Sequence, residues 1–588
     1  MTARPILSVD GMTIAFGSRR IVDDLSIAIM PGEIVALVGE SGSGKTMAAR
    51  SLLGLLPFGA SVTGGTAHYA GRDLFALDKD ALRSIRGSGI GMIFQEPLTS
   101  LDPSMKVGEQ ILEALRDRGE SDESGRRAMA VEMLARVRVA DPQLALESYP
   151  HQFSGGMRQR ICIAAAMLLR PALLIADEPT TALDVLVQKD VLDLLVELAL
   201  GAGTGVLLIT HDLGLVAEYA DRLFVMRNGQ LVESGSTERL LAAPADAYTR
   251  ALLAASPRRR ARDPIGIGEP LLEIDSLNVS FPVRGKWLSP KPPRVRPVVA
   301  TSVRLARGET LAIVGESGSG KTTLARAILG LVDIESGQIR FDGAQVAPVG
   351  RGESRAYRKR VGTVFQDPFS ALDPRLRVSS TIAEGLRHES RLSRAQRLAR
   401  VCASLVEVGL DESFSSRFPH QLSGGQRQRV NIARALIADP ELVIADEPVS
   451  ALDVTVQAEI LRLLDRLQKA RGFACLFVSH SLAVVEQVAD RVAVIYRGRI
   501  VEEGTRDDIF DRPRHPYTCA LLRAAPRIEA CGANGFRLAR YAVEDRPPPD
   551  GLEYSGWGTE TAPGADVGLV DLTGIHRVAC LATMKAKP

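Results

Sequence analysis

Gly39-Glu40-Ser41-Gly42-Ser43-Gly44-Lys45-Thr46 lies near the start of this 588-residue chain, and Gly315-Glu316-Ser317-Gly318-Ser319-Gly320-Lys321-Thr322 repeats it letter for letter. Glycines at the first, fourth and sixth places let backbone N–H groups turn inward around phosphate oxygens with no Cβ in the way. The lysine then reaches the β/γ-phosphates, and the threonine hydroxyl suits Mg²⁺. Each octapeptide follows an apolar run (Ile34-Val35-Ala36-Leu37-Val38; Leu311-Ala312-Ile313-Val314) and precedes a helix-forming stretch, Met47 to Leu53 or Thr323 to Leu329. Phosphates would thus meet a helix N-terminus. Gly39, Ser41, Gly42, Gly44, Lys45 and Thr46, with Gly315, Ser317, Gly318, Gly320, Lys321 and Thr322, are the candidate nucleotide ligands.

Other elements recur in the same order. Phe94-Gln95-Glu96-Pro97 returns as Phe365-Gln366-Asp367-Pro368, Ser154-Gly155-Gly156 as Ser423-Gly424-Gly425, Asp177-Glu178 as Asp446-Glu447, and His211 as His480. The offset is 276 at the lysine, 271 at the glutamine and 269 from the Ser-Gly-Gly element onward, so insertions fall early in the second copy. A period this long reads as duplication of a whole domain. The expected layout is a first domain at 5–255, a linker at 256–270, a second domain at 271–527 and an extension at 528–588. Within a copy, apolar strands at 33–38, 90–94, 172–176 and 204–209 alternate with helical patterns, which argues a parallel α/β core. Asn228-Gly229 between Phe224-Val225-Met226 and Leu231-Val232 predicts a hairpin. Ala130, Met133, Leu134 and Val137, and Leu398, Val401, Cys402 and Leu405, sit at i, i+3, i+4, i+7 spacing and predict an inserted helical subdomain.

Bulk properties narrow the function class. Apolar residues make up 45% of the chain, and 72 basic residues against 70 acidic ones leave a net charge of +2, with no overall electrostatic footprint for nucleic acid. Arg258-Arg259-Arg260-Ala261-Arg262 fits a linker. No run approaches the 18 or more apolar residues that cross a bilayer, so membrane work would require other spanning subunits. Six cysteines (Cys162, Cys402, Cys475, Cys519, Cys531, Cys580) lack a framework spacing and suit a reducing compartment.

The acidic pairs complete a phosphoryl-transfer constellation. Leu173 to Glu178 reads as a buried strand ending in two carboxylates whose side chains diverge. Asp177 suits Mg²⁺ through its water shell, and Glu178 suits polarising the attacking water; Asp446 and Glu447 repeat these roles. His211 and His480 each follow an apolar strand and are placed to meet a γ-phosphate. Gln95 and Gln366 suit either Mg²⁺ or the lytic water. Phe16 and Phe281, upstream of their loops, suit stacking on adenine.

Phe153-Ser154-Gly155-Gly156-Met157-Arg158-Gln159-Arg160 and Leu422-Ser423-Gly424-Gly425-Gln426-Arg427-Gln428-Arg429 resemble the signature of ABC ATPases, a resemblance that extends through about residue 526. It implies two P-loop NTPase domains of α/β class, each a parallel-sheet RecA-like core with an inserted helical subdomain and a small antiparallel β part. It also implies ATP and Mg²⁺ as ligands and a head-to-tail pairing of the domains. Ser154, Gly155 and Gly156 would then face Lys321 across the dimer, and Ser423, Gly424 and Gly425 would face Lys45. Met157 departs from the usual glutamine. Asp184 and Asp453 match the family's coupling loop.

A finer resemblance rests on Glu96-Pro97-Leu98-Thr99-Ser100-Leu101-Asp102-Pro103, Asp367-Pro368-Phe369-Ser370-Ala371-Leu372-Asp373-Pro374, Ala247-Tyr248-Thr249 and His515-Pro516-Tyr517-Thr518. These are similar to the ATPase subunits of peptide/nickel importers. The resemblance implies two transmembrane permeases and a substrate-binding protein as partners, at the cytoplasmic face of the inner membrane, with no nucleic acid. The alternatives are a tandem ABC ATPase acting on ribosomes and a DNA-repair ATPase; the short, proline-broken linker and the lack of any Cys-x-x-Cys weigh against them. Cys519, Cys531 and Cys580 fall one short of the four ligands of an iron–sulfur centre, so none is expected. The tail from 527, with Pro547-Pro548-Pro549 and little periodicity, reads as a loosely ordered extension.

Overall fold

In the computed structural model the two apolar runs that precede the glycine-rich loops are central strands. The structure describes residues 4–95, 100–116, 122–181, 183–257, 259, 268–282, 294–346, 354–367, 370–387, 389, 391–450, 452–532, 535–549, 552–555 and 567–582. Glu96 to Thr99, Pro368, Phe369, Ala182, Ala451 and most of the expected linker lie outside these residues.

The chain forms two compact units, Met1–Ser256 with Asp453–Thr455 and Pro526–Ala539, and Pro257–Leu452 with Val456–Ala525 and Arg540–Pro588. In the first, a six-stranded sheet runs in the order Gln230–Ser236, Arg222–Arg227, Ile34–Val38, Gly205–Ile209, Leu173–Asp177 and Ile90–Ile93. Neighbours are parallel except the Gln230–Ser236 edge. That edge is reached through the expected hairpin, where Asn228 (φ 50°) and Gly229 (φ 85°) supply the two left-handed residues of a primed turn. The strands read as unbroken apolar runs because both faces are covered. Ile34, Ala36 and Val38 enter one core cluster, while Val35 and Leu37 enter another on the opposite face. A separate antiparallel sheet joins Arg19–Ile29, Leu7–Phe16, Ala60–Tyr69 and Arg72–Asp73.

The second unit repeats this core as Val361–Val364, Leu442–Asp446, Ala474–Ser479, Thr310–Val314, Arg491–Tyr496 and Arg499–Thr505, with an antiparallel sheet around Pro270–Pro282. The helical insert of the first copy comprises Val107–Arg116, Glu123–Arg136 and Pro142–Glu147, ahead of Gly155–Met167. Ala130, Met133, Leu134 and Val137 are buried there as their spacing requires. In the second copy the stripe on Arg394–Glu407 starts one turn later than expected. Leu398 stays 50% exposed, whereas Val401, Ser404, Leu405 and Val408 are buried, with the Ser404 hydroxyl donating to the Ala433 carbonyl.

The tail departs most from expectation. Instead of a loose extension from 528, strands Arg527–Cys531 and Gly535–Ala539 form a hairpin that belongs to the first unit. Its Ile528 and Phe536 join the core cluster that holds Leu215, Leu240 and Leu241. Leu552–Tyr554, Val567–Asp571 and Arg577–Ala582 extend the sheet of the second unit, with Glu502 opposite Val578 and Glu503 opposite Arg577. These strands are short, and beyond the local pairing of Val567–Asp571 with Arg577–Ala582 their contacts join residues distant in sequence, so local patterning carried little sign of them.

Candidate functional site

Parallel register gathers the candidate residues along one edge of the sheet. Leu37 lies opposite Ile209, Ile209 opposite Asp177, and Ala176 opposite Ile93, so the segments beginning at Gly39, Thr210, Glu178 and Phe94 leave from the same carboxyl end. Ligand sites of open α/β sheets form at this end.

The loop conformation depends on its glycines. Gly39 (φ 153°) and Gly315 (φ 158°) pass so close to a neighbouring strand that a Cβ would lie 2.2 Å from the Met226 or the Ile495 carbonyl oxygen. The helices Lys45–Leu52 and Lys321–Ile328 begin at the lysines themselves, two residues before the expected starts. Their cap residues Gly44 and Gly320 supply no side-chain cap bond, so the first-turn N–H groups face the loop without a side-chain acceptor at the cap. The buried Lys45 ammonium donates to the carbonyls of Gly39 (2.7 Å) and Glu40 (2.9 Å); that of Lys321 donates to Gly315 (2.7 Å) and Glu316 (2.8 Å). Burial pulls the Lys45 ammonium below the ordinary lysine range, against the pull of nearby carboxylates led by Glu178.

The Thr46 hydroxyl donates to Asp177 Oδ1 at 3.1 Å, and the Thr322 hydroxyl to Asp446 Oδ1 at 3.4 Å. Asp177 Oδ2 is buried with no hydrogen-bond partner among the described residues. A hard oxygen donor turned inward beside a threonine hydroxyl matches what Mg²⁺ takes. Burial, the largest cause, pushes both Asp177 and Asp446 above the ordinary carboxylate range. A divalent cation at this place would favour the ionised form.

Glu178 and Glu447 share an unexpected backbone feature: each has φ 46°, in the left-handed region that costs a non-glycine residue about 1–2 kcal/mol. Their N–H groups donate to the Ile209 and Val478 carbonyls at 2.9 Å, which fixes the bend. The bend turns each carboxylate toward a glutamine and a histidine. Gln95 Nε2 donates to Glu178 Oε2 at 2.9 Å, and Gln366 Nε2 to Glu447 Oε2 at 2.8 Å. His211 Nδ1 lies 3.3 Å from Glu178 Oε1, and His480 Nδ1 lies 3.1 Å from Glu447 Oε1. Burial raises the Glu178 carboxyl, but the His211 hydrogen bond and charge, with Thr181 and Lys45, outweigh it and leave the group below its ordinary value. Glu447 behaves alike through His480 and Lys321. The same bond raises His211 above the ordinary imidazole range.

The structure therefore brings Lys45, Thr46, Gln95, Asp177, Glu178 and His211 together, and their counterparts likewise. Phe16, the last residue of Leu7–Phe16, is 50% exposed, and Phe281, next to last in Pro270–Pro282, is 40% exposed. Ser154 caps the helix Gly155–Met167 by accepting from the Met157 N–H (3.4 Å), as Ser423 does from Gln426 N–H (3.3 Å). Gln426 also accepts from the Ser423 N–H at 3.0 Å, closing a capping box. Met157 has no oxygen for that return bond. Sequence reasoning missed the glutamate bend, Thr181, whose hydroxyl donates to Glu178 Oε2 at 2.9 Å, and the contact of Tyr248 and Tyr517 with the loops. Both tyrosines obey the 269-residue offset, a signal that was present in the sequence.

Residues 22–181 and 299–450 match the family described as ABC transporter, and 232–274 and 501–546 match the oligopeptide/dipeptide transporter C-terminal region. The peptidoglycan transport ATP-binding protein YejF of Agrobacterium fabrum is 44% identical over 533 residues, covering 90% of this chain and 97% of that protein. The glutathione import ATP-binding protein GsiA of Escherichia coli is 42% identical over 569 residues, covering 90% of this chain and 91% of that protein. Among solved structures, cbiO1 from Clostridium perfringens, part of the ABC transporter complex cbiONQ, is 29% identical over 41% of this chain and 91% of that one, with a TM-score of 0.37. The chain belongs to the ABC transporter family of ATP-binding and ATP-hydrolysing proteins, and it carries two such domains in tandem.

Proposed function

We propose that the chain powers the import of peptides or related small solutes, as the peripheral ATPase subunit at the cytoplasmic face of the inner membrane. The observation that carries this reading is the match along nine-tenths of the chain to YejF and GsiA, both transport or import ATP-binding proteins. Two transmembrane permeases and a substrate-binding protein are the partners that such a subunit needs. The two domains pair head to tail, with each signature helix completing the other domain's loop; tethering raises the effective concentration of one half for the other. A ribosome-acting ATPase draws no support from these relatives.

The residue roles follow from the site's chemistry. Loop N–H groups and Lys45 or Lys321 hold the phosphates, with Phe16 and Phe281 as adenine platforms. Thr46 with Asp177, and Thr322 with Asp446, would hold Mg²⁺, which would supply charge neutralisation to the phosphates; Gln95 and Gln366 would serve the same ion or the lytic water. Glu178 and Glu447, kept ionised by their histidines, orient and polarise that water.

The deciding experiment is affinity purification of the tagged chain from detergent-solubilised cells with mass spectrometry of its companions. Stoichiometric polytopic membrane proteins are the expected result, and their gene neighbourhood would identify the solute. Ribosomal proteins without a permease would overturn the import reading.

A further inference from the structure

The second helix after the antiparallel edge strand of each core reaches back to the phosphate loop. The Tyr248 hydroxyl, on Ala247–Ala255, accepts from the Glu40 N–H at 3.3 Å, and the Tyr517 hydroxyl, on Pro516–Ala524, accepts from the Glu316 N–H at 3.1 Å. Glu40 and Glu316 are also the residues whose carbonyls receive the Lys45 and Lys321 ammonium groups. A single residue of each loop is thus tied through its N–H to a tyrosine and through its C=O to the phosphate-seeking lysine.

Each helix is fixed by the same device. The Asp246 carboxylate accepts from the Tyr248 and Thr249 N–H groups at 2.7 and 3.4 Å, and His515 Nδ1 from the Tyr517 N–H at 3.2 Å. One turn before the tyrosine, Glu233 accepts from the N–H groups of Ala245 and Asp246, and Glu502 from those of Arg514 and His515. The rings are buried: the Arg227 guanidinium lies 4.8 Å from the Tyr248 ring, and Tyr496 lies 4.4 Å from Tyr517. Packing alone would need only a phenyl ring. The hydroxyl, set on the same loop amide in both copies, has a separate purpose.

We infer that Tyr248 and Tyr517 are positioning residues that hold the phosphate loops in their nucleotide-competent shape through the Glu40 and Glu316 amides. Without the hydroxyl, a half-buried N–H loses this acceptor and the loop samples other shapes, so apparent affinity falls by the lost fraction of competent conformer. Burial, followed by the Glu40 charge, pushes the Tyr248 phenol up to about 12, so it stays protonated. The inference needs nucleotide binding by these loops and is indifferent to the solute transported, so it and the import reading can fail separately.

The test uses the full-length chain with Tyr248→Phe, Tyr517→Phe and both, and Tyr219→Phe as a control in which the hydroxyl lost is bonded to Asp193 instead of a loop amide. The affinity of a non-hydrolysable ATP analogue, measured by calorimetry well below the unfolding midpoint, should weaken about three- to tenfold at each altered site and stay unchanged in the control. Hydrogen exchange at the loop amides should quicken in the same variants. Affinity within about twofold of the parent in the double variant, or a lowered unfolding midpoint with affinity retained, would overturn the inference and reduce the tyrosines to packing. So would rapid exchange of the Glu40 and Glu316 amides in the unaltered chain, a measurement that needs no variant to fold.

Discussion

Replacing Glu178 and Glu447 by Gln together removes one charge from each site while leaving the fold almost untouched. Glutamine has the same volume and makes the same N–H bond to the Ile209 or Val478 carbonyl across the left-handed bend. Its amide oxygen can take the Gln95 or Gln366 N–H now received at 2.9 or 2.8 Å, with its NH₂ turned toward His211 or His480 Nδ1. The network can thus be remade and only the base is lost. Water activation by a positioned side chain contributes about 10²–10⁴ in rate, or about 3–5 kcal/mol of barrier. Phosphate release should therefore fall by that factor in the double variant, while ATP affinity stays within about threefold, because the loop and lysine are unchanged. The single variants report on coupling: independent sites leave about half the rate in each, whereas obligatory alternation drops each close to the double variant. A double variant that keeps more than about a tenth of parental turnover would refute the assignment of the water-polarising role.

The glutamates that accept from the starts of the tyrosine helices give an internal comparison. Glu502→Ala leaves the Arg514 and His515 N–H groups and His576 Nε2 (2.8 Å) without their acceptor, at about 1–3 kcal/mol for each fully buried partner, whereas Glu233 serves two N–H groups in a more open place. Hydrogen exchange should therefore rise more across 513–525 in Glu502→Ala than across 244–256 in Glu233→Ala; equal effects would reject the argument. Gln426→Met should remove half of the capping box and cost about 0.5–1 kcal/mol at the start of its helix, and Met157→Gln should gain a similar amount, read from amide exchange in the first helical turns. No change in either would show that the return bond carries no stability.

Much of the core was legible because each rule that shaped it acts locally. Glycine at positive φ, an apolar run of five and a primed Asn-Gly turn each leave a mark in a few adjacent residues, and duplication doubled every mark. The strand ends landed within one residue of expectation for this reason. What was not legible depended on contacts made over long distances. The Glu178 bend is imposed by the neighbouring strand's carbonyl, not by the residue's own preference. Leu398 satisfied the helical spacing but lies outside the stripe that packs, which Val401 to Val408 carry instead. Arg577-Val578-Ala579-Cys580-Leu581 buries Val578, Ala579 and Cys580 in succession because, besides its hairpin with Val567–Asp571, it pairs with residues near 502 and 552 that its own sequence does not announce.

The duplicated sites differ in their supports more than in their chemical groups. Lysine, threonine, both carboxylates, glutamine and histidine are the same residues in both copies, and their hydrogen-bond distances agree within about 0.3 Å. Around them the second copy is tied down more fully. Its signature helix has a complete capping box, its Glu502 is sealed by His576, and His515 Nε2 meets the Ser555 carbonyl at 2.8 Å. Those last two partners come from the tail, which in the first unit contributes only the hairpin Arg527–Ala539. Local openings are drawn from the less constrained parts of a structure. On the proposed function, an inequality in turnover between the two sites would originate in these supports, the tail strands that tie down the second loop's tyrosine helix above all, since the groups assigned to catalysis are matched in both copies.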